Sequence, residues 1–226
     1  MSLQTILSVA ESVDINDHRF AGQVLSRNLR LSTSEILSTQ PFQFTIKPMN
    51  YLLYSQNRGV LSALRQADRI TEQYLNFGST GWLNYIAYQG DMTSAQVAAC
   101  QFQTSSTGQT IVLGSLPSIS SALYIVKVGD FLQIGRYAYI ATASVQRGSG
   151  STVNIPVHRT ILTTLSSTMA AVIGQFGTTQ SLGGSTYTGV TFPVTVRTYP
   201  TYNLVPMTND SFISWSGPFI ALETIL

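Results

Sequence analysis

The side chains of this sequence that could do chemistry are few and scattered. Its 226 residues include two histidines, one cysteine and ten acidic residues. His18 stands in a run, 14–19, that also contains Asp14, Asn16 and Asp17, so possible metal ligands lie close together. A calcium loop needs a glycine in mid-loop and a glutamate at its end, and this run has neither. The run therefore favours a turn, and we predict no metal site.

His158 and Cys100 stand apart from residues that would make them reactive. His158 follows a predicted strand and has no cysteine or glutamate at a spacing typical of a zinc site. Cys100 has apolar neighbours, Val97 to Ala99 and Phe102, which favours a small buried side chain over a nucleophile. As the single cysteine, it cannot form a disulfide within the chain. We predict no catalytic, cofactor-binding or metal-binding residue.

One acidic pair and two glycine-rich runs have competing interpretations. Asp68 and Glu72 lie one helical turn apart and could act as acid and base, but neighbouring arginines favour salt bridges on a solvated helix face. The runs 78–81 and 148–150 lack the Gly-Lys-Ser/Thr ending of a phosphate-binding loop, so they predict turns. No Gly-x-Ser-x-Gly nucleophile elbow is present. We therefore predict that the protein is not an enzyme and uses no cofactor.

The composition predicts a surface that other protein covers. Charged residues make up 10% of the chain and hydrophobic residues 44%, whereas about 25% charged residues is ordinary for a globular protein. A lone monomer usually keeps a charged surface, which prevents association. The twelve basic residues contain no run of four or more, so sequence-specific nucleic-acid binding is not expected. We expect contacts with copies of this chain or with neighbouring proteins.

The hydropathy pattern predicts no membrane segment. A membrane helix needs about 18 or more apolar residues, and the best window, 123–145, is interrupted by Lys127, Asp130 and Arg136. Residues 1–10 have neither the basic region nor the apolar stretch of a signal peptide. We therefore expect the protein in a cytoplasm or in a particle assembled there, and no role for the sequon at Asn209.

Apolar periodicity predicts a mainly β protein with one long helix. Strict alternation at 42–46 is typical of a half-buried strand, and turn residues divide 110–157 into several short strands. A helix is predicted over about 57–75 from one apolar stripe: Val60, Leu61, Leu64, Ala67, Ile70 and Tyr74. Further strands are predicted at 81–88, 191–198, 202–205, 211–215 and 219–226. We expect residues 1–90 and 166–226 to form one β lobe and 91–165 to form an inserted small β-barrel.

Three blocks of this sequence resemble distal-tail and baseplate-hub structural proteins of tailed phages. In the first, a strand at 42–48 leads through Met49-Asn50-Tyr51 into the helix. In the second, 126–134 contains a Gly-Asp-Phe turn and is followed by 137–145 and a small-residue hairpin at 149–158. The third runs from Trp215 to Glu223, with an aromatic residue and then a glutamate near the C-terminus.

The resemblance implies a tail-tube-like β-sandwich or barrel with a flanking helix and an inserted small β-barrel. It also implies a virion protein that forms a ring around the tail axis, of six copies by analogy, and joins the tail tube to distal tail and baseplate components. No active site or cofactor is implied. The presence of only two lysines, Lys47 and Lys127, fits edge strands that neighbouring subunits complete.

A receptor- or glycan-binding β module of a virion is the alternative. Its expected sign is a cluster of tyrosine and tryptophan side chains on loops. The chain has eleven tyrosines and ten phenylalanines, which could stack on bases or sugars. In a β-rich chain we expect most of them in the core or in interfaces instead.

Overall fold

A computed structural model of the chain describes residues 3–17, 21–25, 31–35, 39–67, 70–78 and 80–225. Within these ranges the protein is mainly β, with 41% strand and 14% helix, and its antiparallel sheets are curled and include a half-barrel. The predicted β-rich fold class is confirmed. In the described part of the chain, no helix has the length and apolar character needed to span a bilayer.

The described residues form three α-helices, one 3-10 helix and 22 strands. The helices are α1 (Leu3–Ser8), α2 (Tyr54–Ala67) and α3 (Ser94–Ala99), and the 3-10 helix covers Leu83–Tyr85. The first strands are β1 (Ala10–Asn16), β2 (Ala21–Leu25), β3 (Leu31–Glu35), β4 (Gln43–Pro48), β5 (Leu52–Leu53), β6 (Gln73–Asn76), β7 (Gln101–Phe102), β8 (Thr110–Gly114), β9 (Tyr124–Val126), β10 (Phe131–Ile134) and β11 (Tyr137–Ile140). The later strands are β12 (Val145–Gln146), β13 (Val153–Pro156), β14 (Met169–Ala170), β15 (Val172–Ile173), β16 (Phe176–Gly177), β17 (Gln180–Leu182), β18 (Ser185–Tyr187), β19 (Thr191–Thr198), β20 (Tyr202–Pro206), β21 (Ser211–Trp215) and β22 (Phe219–Glu223).

The largest sheet joins strands from both ends of the chain. It is antiparallel, with the order β1-β4-β22-β19-β6. Side chains alternate between the two faces of a strand, so Phe44 and Ile46 of β4 are fully buried while Gln43 and Thr45 are only partly buried. The strand predicted at 42–46 is confirmed within β4, as are the strands predicted at 191–198 and 211–215.

Phe192 on β19 is the centre of the core against this sheet. Its ring centroid lies 5.0 to 5.9 Å from those of four other phenylalanines, and all four contacts are edge-to-face: Phe42, Phe44, Phe77 and Phe131. Such pairs add about 0.5–1.5 kcal/mol each beyond the burial of area. These aromatic residues therefore serve packing, as the sequence predicts.

A second hydrophobic cluster is built mainly from residues 92–173. The sheets β11-β10-β15-β16 and β13-β8-β7-β14 both contribute fully buried side chains to it. Phe131, Ala138 and Val172 belong to the first cluster instead, and Ala171 and Ile173 belong to the second. Side chains thus cross the expected boundaries at 91 and 165, and the division into two lobes stays a prediction.

The long helix is shorter than the sequence predicts. It begins three residues earlier, and its described part ends at Ala67, so the predicted extension to 75 is wrong. Leu61 and Leu64 are buried as the stripe predicts, but Ile70 is 87% exposed. Residues Gln73–Asn76 form β6, which pairs with β19. Hydrogen bonding to β19 therefore determines the structure of 73–76, although its apolar side chains also fit the helical spacing of α2.

The predicted strand at 81–88 is also wrong. A 3-10 helix occupies its centre, and two aromatic side chains of this segment donate to backbone carbonyls of α1 and β1. The Trp82 indole N–H donates to the carbonyl of Leu7 at 3.0 Å, and the Tyr85 hydroxyl donates to the carbonyl of Val13. The polar end of each ring is satisfied by backbone while its apolar body packs.

The hairpin predicted at 149–158 is reduced to one antiparallel bridge, between Ala141 and Val157. Strand β13 pairs with β8, with Val153 opposite Leu113, and β12 pairs with β9. The single strand predicted at 137–145 is divided into β11 and β12. The glycine- and serine-rich turn at 147–151 therefore connects two different sheets.

Arg159 and Glu223 form an ion pair whose side chains are completely buried. The contact is bidentate, with Nη1 to Oε2 at 2.5 Å and Nη2 to Oε1 at 2.7 Å. Arg159 also donates to the carbonyls of Gln40 and Ala138 at 2.9 and 2.7 Å. Because Glu223 ends β22 and Ala138 lies on β11, this pair ties the first sheet to the middle of the chain.

Removing one charge of this pair should destabilise the fold strongly. Arg159→Met leaves the Glu223 carboxylate buried without a cation, and such a change costs about 3–5 kcal/mol of unfolding free energy. The double variant Arg159→Met/Glu223→Leu should recover much of the loss because neither charge remains. Urea unfolding at pH 7 measures both values.

The exposed pair between Lys47 and Glu11 is the matched control. Its N–O distance is 3.1 Å and both side chains are 49% exposed, so Glu11→Gln should cost less than about 1 kcal/mol. Equal losses in Arg159→Met and Glu11→Gln, or a double variant weaker than Arg159→Met, would contradict this account.

Candidate assembly surface

The structure places the residues considered for chemistry in separate environments. His18 and Asp68 lie outside the described residues, so the metal run and the helical acid–base pair have no described geometry. Glu72 accepts a hydrogen bond from the Tyr74 hydroxyl at 2.5 Å and forms an ion pair with Arg136. Burial and this hydrogen bond raise the pKa of Tyr74 to about 12. The partner of Glu72 is thus the distant Arg136, and the described structure gives Glu72 a structural role.

Two other titratable groups have local structural roles. Cys100 is fully buried, and burial raises the pKa of its thiol to about 11, so little reactive thiolate exists at neutral pH. The buried Asp130 carboxylate accepts the backbone N–H groups of Lys127 and Gln89 at 2.7 and 2.8 Å. Burial raises the pKa of Asp130. This carboxylate fixes the Gly-Asp-Phe turn of the second sequence block.

His158 lies beside the buried ion pair. Its Nδ1 accepts the backbone N–H of Ile140 at 3.0 Å, and its ring centroid lies 5.2 Å from that of Phe42. Burial, and then the positive charge of Arg159, lower the pKa of His158 to about 3. The imidazole is therefore neutral at pH 7 and packs, partly buried, against Phe42.

Stability should fall as the pH falls from 6.5 towards 3. In this range the unfolded chain binds a proton at residue 158 that the folded chain does not, so the pH dependence has a positive slope. One such group accounts for a loss of about 2 kcal/mol between pH 6.5 and 5, at about 1.4 kcal/mol per pH unit. Urea midpoints across this range measure the slope.

His158→Gln should remove this part of the slope. His18→Gln, measured in the same way, gives the part of the pH dependence of the unfolding free energy that comes from the other histidine. A pH slope that is unchanged in His158→Gln would show that the folded chain also protonates at this position.

The hairpin of β20 and β21 is anchored on the first turn of α2. Strand β21 pairs with β20 on one side and with β5 on the other. The carboxylate of Asp210, in the hairpin turn, accepts hydrogen bonds from the Ser55 hydroxyl at 2.5 Å and the Ser55 N–H at 3.2 Å. The Ser55 hydroxyl, and then the N–H of Ser211, lower the pKa of Asp210 by donating to its carboxylate. A negative charge is favourable at the N-terminus of a helix. The Asp210 carboxylate lies at the N-terminus of α2, so its charge stabilises this contact.

The outer face of this three-stranded sheet carries an apolar row. Paired residues in an antiparallel sheet point to the same face, and the register aligns Val205, Phe212 and Leu53. Val205 is 44% exposed, and the other two are partly buried. Tyr51, which is 69% exposed, packs edge-to-face against Phe212 at 5.8 Å. We call these four side chains the outer apolar face.

Tyr51 is held out on this face in an uncommon backbone conformation. Its φ is 67°, a region that bulky residues rarely occupy and that costs about 1–2 kcal/mol for a residue with a side chain. Its N–H donates to the carbonyl of Ile213 at 3.0 Å, which fixes the conformation. Residues held in this way concentrate at sites that bind partners or ligands.

Among the described strands, β20 is an edge strand that lacks the usual protection. All its residues after Tyr202 are exposed, and none of them is charged. Leu204, Val205 and the following Met207 are among the most exposed large hydrophobic residues. In natural proteins, charged side chains, especially lysine, or a proline commonly prevent an edge strand from pairing with another chain. The only such feature here is Pro206 at the end of the strand.

The edge of the large sheet at β6 is protected by contrast. The side-chain amide of Gln4, on α1, donates to the carbonyl of Asn76 at 2.7 Å, and its oxygen accepts the N–H of Asn76 at 2.8 Å. A glutamine side chain thus takes the place of a neighbouring strand. The run 202–207 has no charged residue, but neither has 110–126, so the sequence alone does not identify β20 as the exposed edge.

An aromatic groove of about 350 Å³ lies on the other side of the hairpin, against α2. The helix contributes two leucines and an arginine, and the strands and the loop before β20 contribute four aromatic side chains. The residues that define it are Leu61, Leu64, Arg65, Tyr199, Pro200, Thr201, Tyr202, Trp215 and Phe219. The aromatic groove and the outer apolar face are therefore opposite sides of one hairpin.

No protein-family model matches this chain, and no curated protein is significantly similar to it. The resemblance to phage tail proteins accordingly stays a prediction from the three sequence blocks. Parts of all three blocks fall in described strands: β4 holds the first, β10 and β11 the second, and β22 the third.

Proposed function

We propose that this chain is a non-enzymatic structural subunit of a phage tail or baseplate. Copies of it assemble into a ring around the tail axis and join the tail tube to distal tail components. The observation that supports this proposal best is the outer apolar face next to the unprotected edge of β20. An exposed apolar patch on a rigid scaffold is typical of a surface that binds another protein.

The residue types on this hairpin are those of an interface core. Tyrosine, phenylalanine and methionine are enriched at such cores, and lysine and glutamate are depleted. Tyr51 and Phe212 lie on the outer apolar face, and Met49 and Met207 are exposed beside the strands. The free N–H and C=O groups of β20 can pair with a strand from a neighbour, which adds backbone hydrogen bonds to the apolar contact.

A ring fits these features because its contacts are head-to-tail. In such a ring each copy covers its neighbour with a different surface, and the rotation closes. The low charge of the whole chain, 10% of its residues, fits a protein whose working surface is largely covered. The three sequence blocks supply the tail context of the proposal, with assembly in the host cytoplasm and final location in the virion.

A charge on the outer apolar face should prevent assembly without unfolding the chain. Light scattering on the purified wild-type protein should give a multiple of the monomer mass, which falls towards that of the monomer only on strong dilution. Val205→Glu should give a monomer with an unchanged circular dichroism spectrum and a cooperative thermal transition, because a buried interface does not tolerate an unpaired carboxylate.

Val128→Glu is the matched control, since Val128 is a 62% exposed valine on the turn between β9 and β10. It should keep the wild-type mass. A wild-type monomer at all concentrations, or equal masses for Val205→Glu and Val128→Glu, would sink the proposal.

A further inference from the structure

The free edge of β20 offers backbone hydrogen-bonding groups at alternate residues. In an antiparallel pair, hydrogen-bonded and non-hydrogen-bonded residue pairs alternate along the two strands. The carbonyl of Thr201 accepts the N–H of Ser216 at 2.8 Å. At the other end of the strand, the N–H of Met207 donates to the carbonyl of Asp210 at 2.8 Å. In the register between these bonds, the odd-numbered residues of β20 therefore bond to β21, and the even-numbered residues face the open edge.

Two residues of this strand are able to pair with a further strand. The N–H and C=O groups of Tyr202 and Leu204 point away from β21, and no other described strand lies beside β20 on this side. Pro206, the next residue with this orientation, has no N–H, and neither has Pro200, two residues before Tyr202. The edge thus accepts a short strand whose pairing is limited to Tyr202 and Leu204.

The aromatic groove lies on the face of the hairpin to which Tyr202 and Leu204 point. Paired residues of antiparallel strands point to the same face, and Tyr202 is opposite Trp215. Both rings line the groove, with their centroids 5.4 Å apart, and Arg65 holds the Tyr202 ring in place by donating to its hydroxyl. A residue that pairs with Tyr202 from outside therefore directs its own side chain to this face, beside the groove.

The lining of the groove favours a large apolar side chain. Leu61, Leu64 and Phe219 line it and are buried. Its volume of about 350 Å³ lies within the usual range of ligand pockets, roughly 300–1,000 Å³. When a peptide adds a strand to a sheet edge, backbone hydrogen bonds supply affinity and pockets for alternate side chains supply specificity. The β20 edge and the aromatic groove provide these two parts on one strand.

We infer that this edge and groove bind an uncharged, extended segment of another protein of the tail, which adds to β20 as an antiparallel strand. Two residues of the segment, separated by one residue, pair with Leu204 and Tyr202. The residue opposite Tyr202 carries phenylalanine or a similarly large apolar side chain, which enters the groove. The inference rests on the proposed function for the source of the segment, and it names the chemistry that the segment must have.

The arrangement favours a different protein over a second copy of this chain. The ring contact proposed above uses the outer apolar face, on the opposite side of the hairpin, and so leaves the groove open. Two β20 strands that paired with each other would form a two-fold contact, whereas a ring needs head-to-tail contacts. The other described strands already lie in sheets of this chain. The run 202–207 has no charge that could pair with a charged segment.

Residue-resolved hydrogen exchange on the dilute full chain tests the inference. The probe is the peptide acetyl-Thr-Val-Thr-Phe-Thr-amide, whose valine and phenylalanine can pair with Leu204 and Tyr202. At about 1 mM peptide, exchange at the amides of these two residues should become slower in a saturable way. The amides of Asn203 and Val205 already bond to β21 and should keep their rates.

N-methylation of the probe separates strand pairing from simple apolar contact. A methyl group on the phenylalanine nitrogen removes the N–H that would donate to the carbonyl of Tyr202, so the affinity should fall at least about fivefold. The matched control is a methyl group on the nitrogen of the central threonine. This nitrogen points away from β20, so the affinity should stay within about twofold.

Leu204→Pro tests the same pairing from the protein side, because an edge strand tolerates proline where its N–H faces outwards. It should weaken binding of the probe at least about fivefold, whereas Leu204→Val keeps the N–H and should bind like the wild type. Both variants should keep the assembled mass in light scattering, since the outer apolar face is unchanged. A wild-type monomer would contradict the proposed ring, and the exchange measurement would still test the segment site.

Three results would overturn the inference. The first is unchanged exchange at Tyr202 and Leu204 in the presence of the probe. The second is equal affinity for the two methylated peptides. The third is a loss of assembled mass in Leu204→Pro but not in Leu204→Val, which would assign the edge to a second copy of this chain.

Discussion

The buried ion pair between Arg159 and Glu223 is the interaction on which the rest of this fold depends. Besides the arginine, the Glu223 carboxylate accepts the N–H of Phe42 at 3.1 Å, and the Glu223 N–H donates to the carbonyl of Phe42 at 2.8 Å. The guanidinium lies between the rings of Phe42 and Tyr139, 5.0 and 5.2 Å from their centres. Separating the two charges would leave each of them buried without a partner, which is costly. The ion pair therefore fixes the start of β4, the end of β22 and the middle of the chain relative to one another. Phe42 is in turn one of the rings against Phe192, so the ionic contact and the aromatic core support one another.

This interior positions the surface that we propose for assembly. Strand β22 is fixed at its end by Glu223 and follows β21 after a short turn, so the hairpin of β20 and β21 starts from a rigid base. The bond from Ser55 to Asp210 fastens the other end of the hairpin to α2. Two opposite surfaces result: an outer apolar face with Tyr51 held in a strained conformation, and the aromatic groove between the hairpin and α2. The first is suited to a flat protein partner, and one rigid element presents both surfaces.

The sequence predicts those parts of the structure that local periodicity decides. The strands at 42–46, 191–198 and 211–215 follow from alternation alone, and the buried side of α2 follows from Leu61 and Leu64. The predicted end of the helix is wrong because Ile70 and Tyr74 continue the apolar spacing of α2. The structure of this segment is determined instead by pairing of β6 with β19, more than a hundred residues away. The pairing of β13 with β8 and the contact of Arg159 with Glu223 are likewise non-local and leave no pattern in the sequence. At the candidate site, the scarcity of lysine indicated unprotected edges, but only the tertiary structure shows that the edge is β20 and that Tyr51 stands beside it.

Hydrogen exchange at the β20 edge, measured at low and high protein concentration, tests most directly whether another copy covers this surface. Unpaired edge amides exchange quickly, and pairing with a neighbouring strand or burial against it slows them. The account predicts that amides in Tyr202–Pro206 exchange more slowly as the concentration rises, while those of the β17-β18 hairpin keep their rates. Exchange in β20 that is fast and independent of concentration would contradict it.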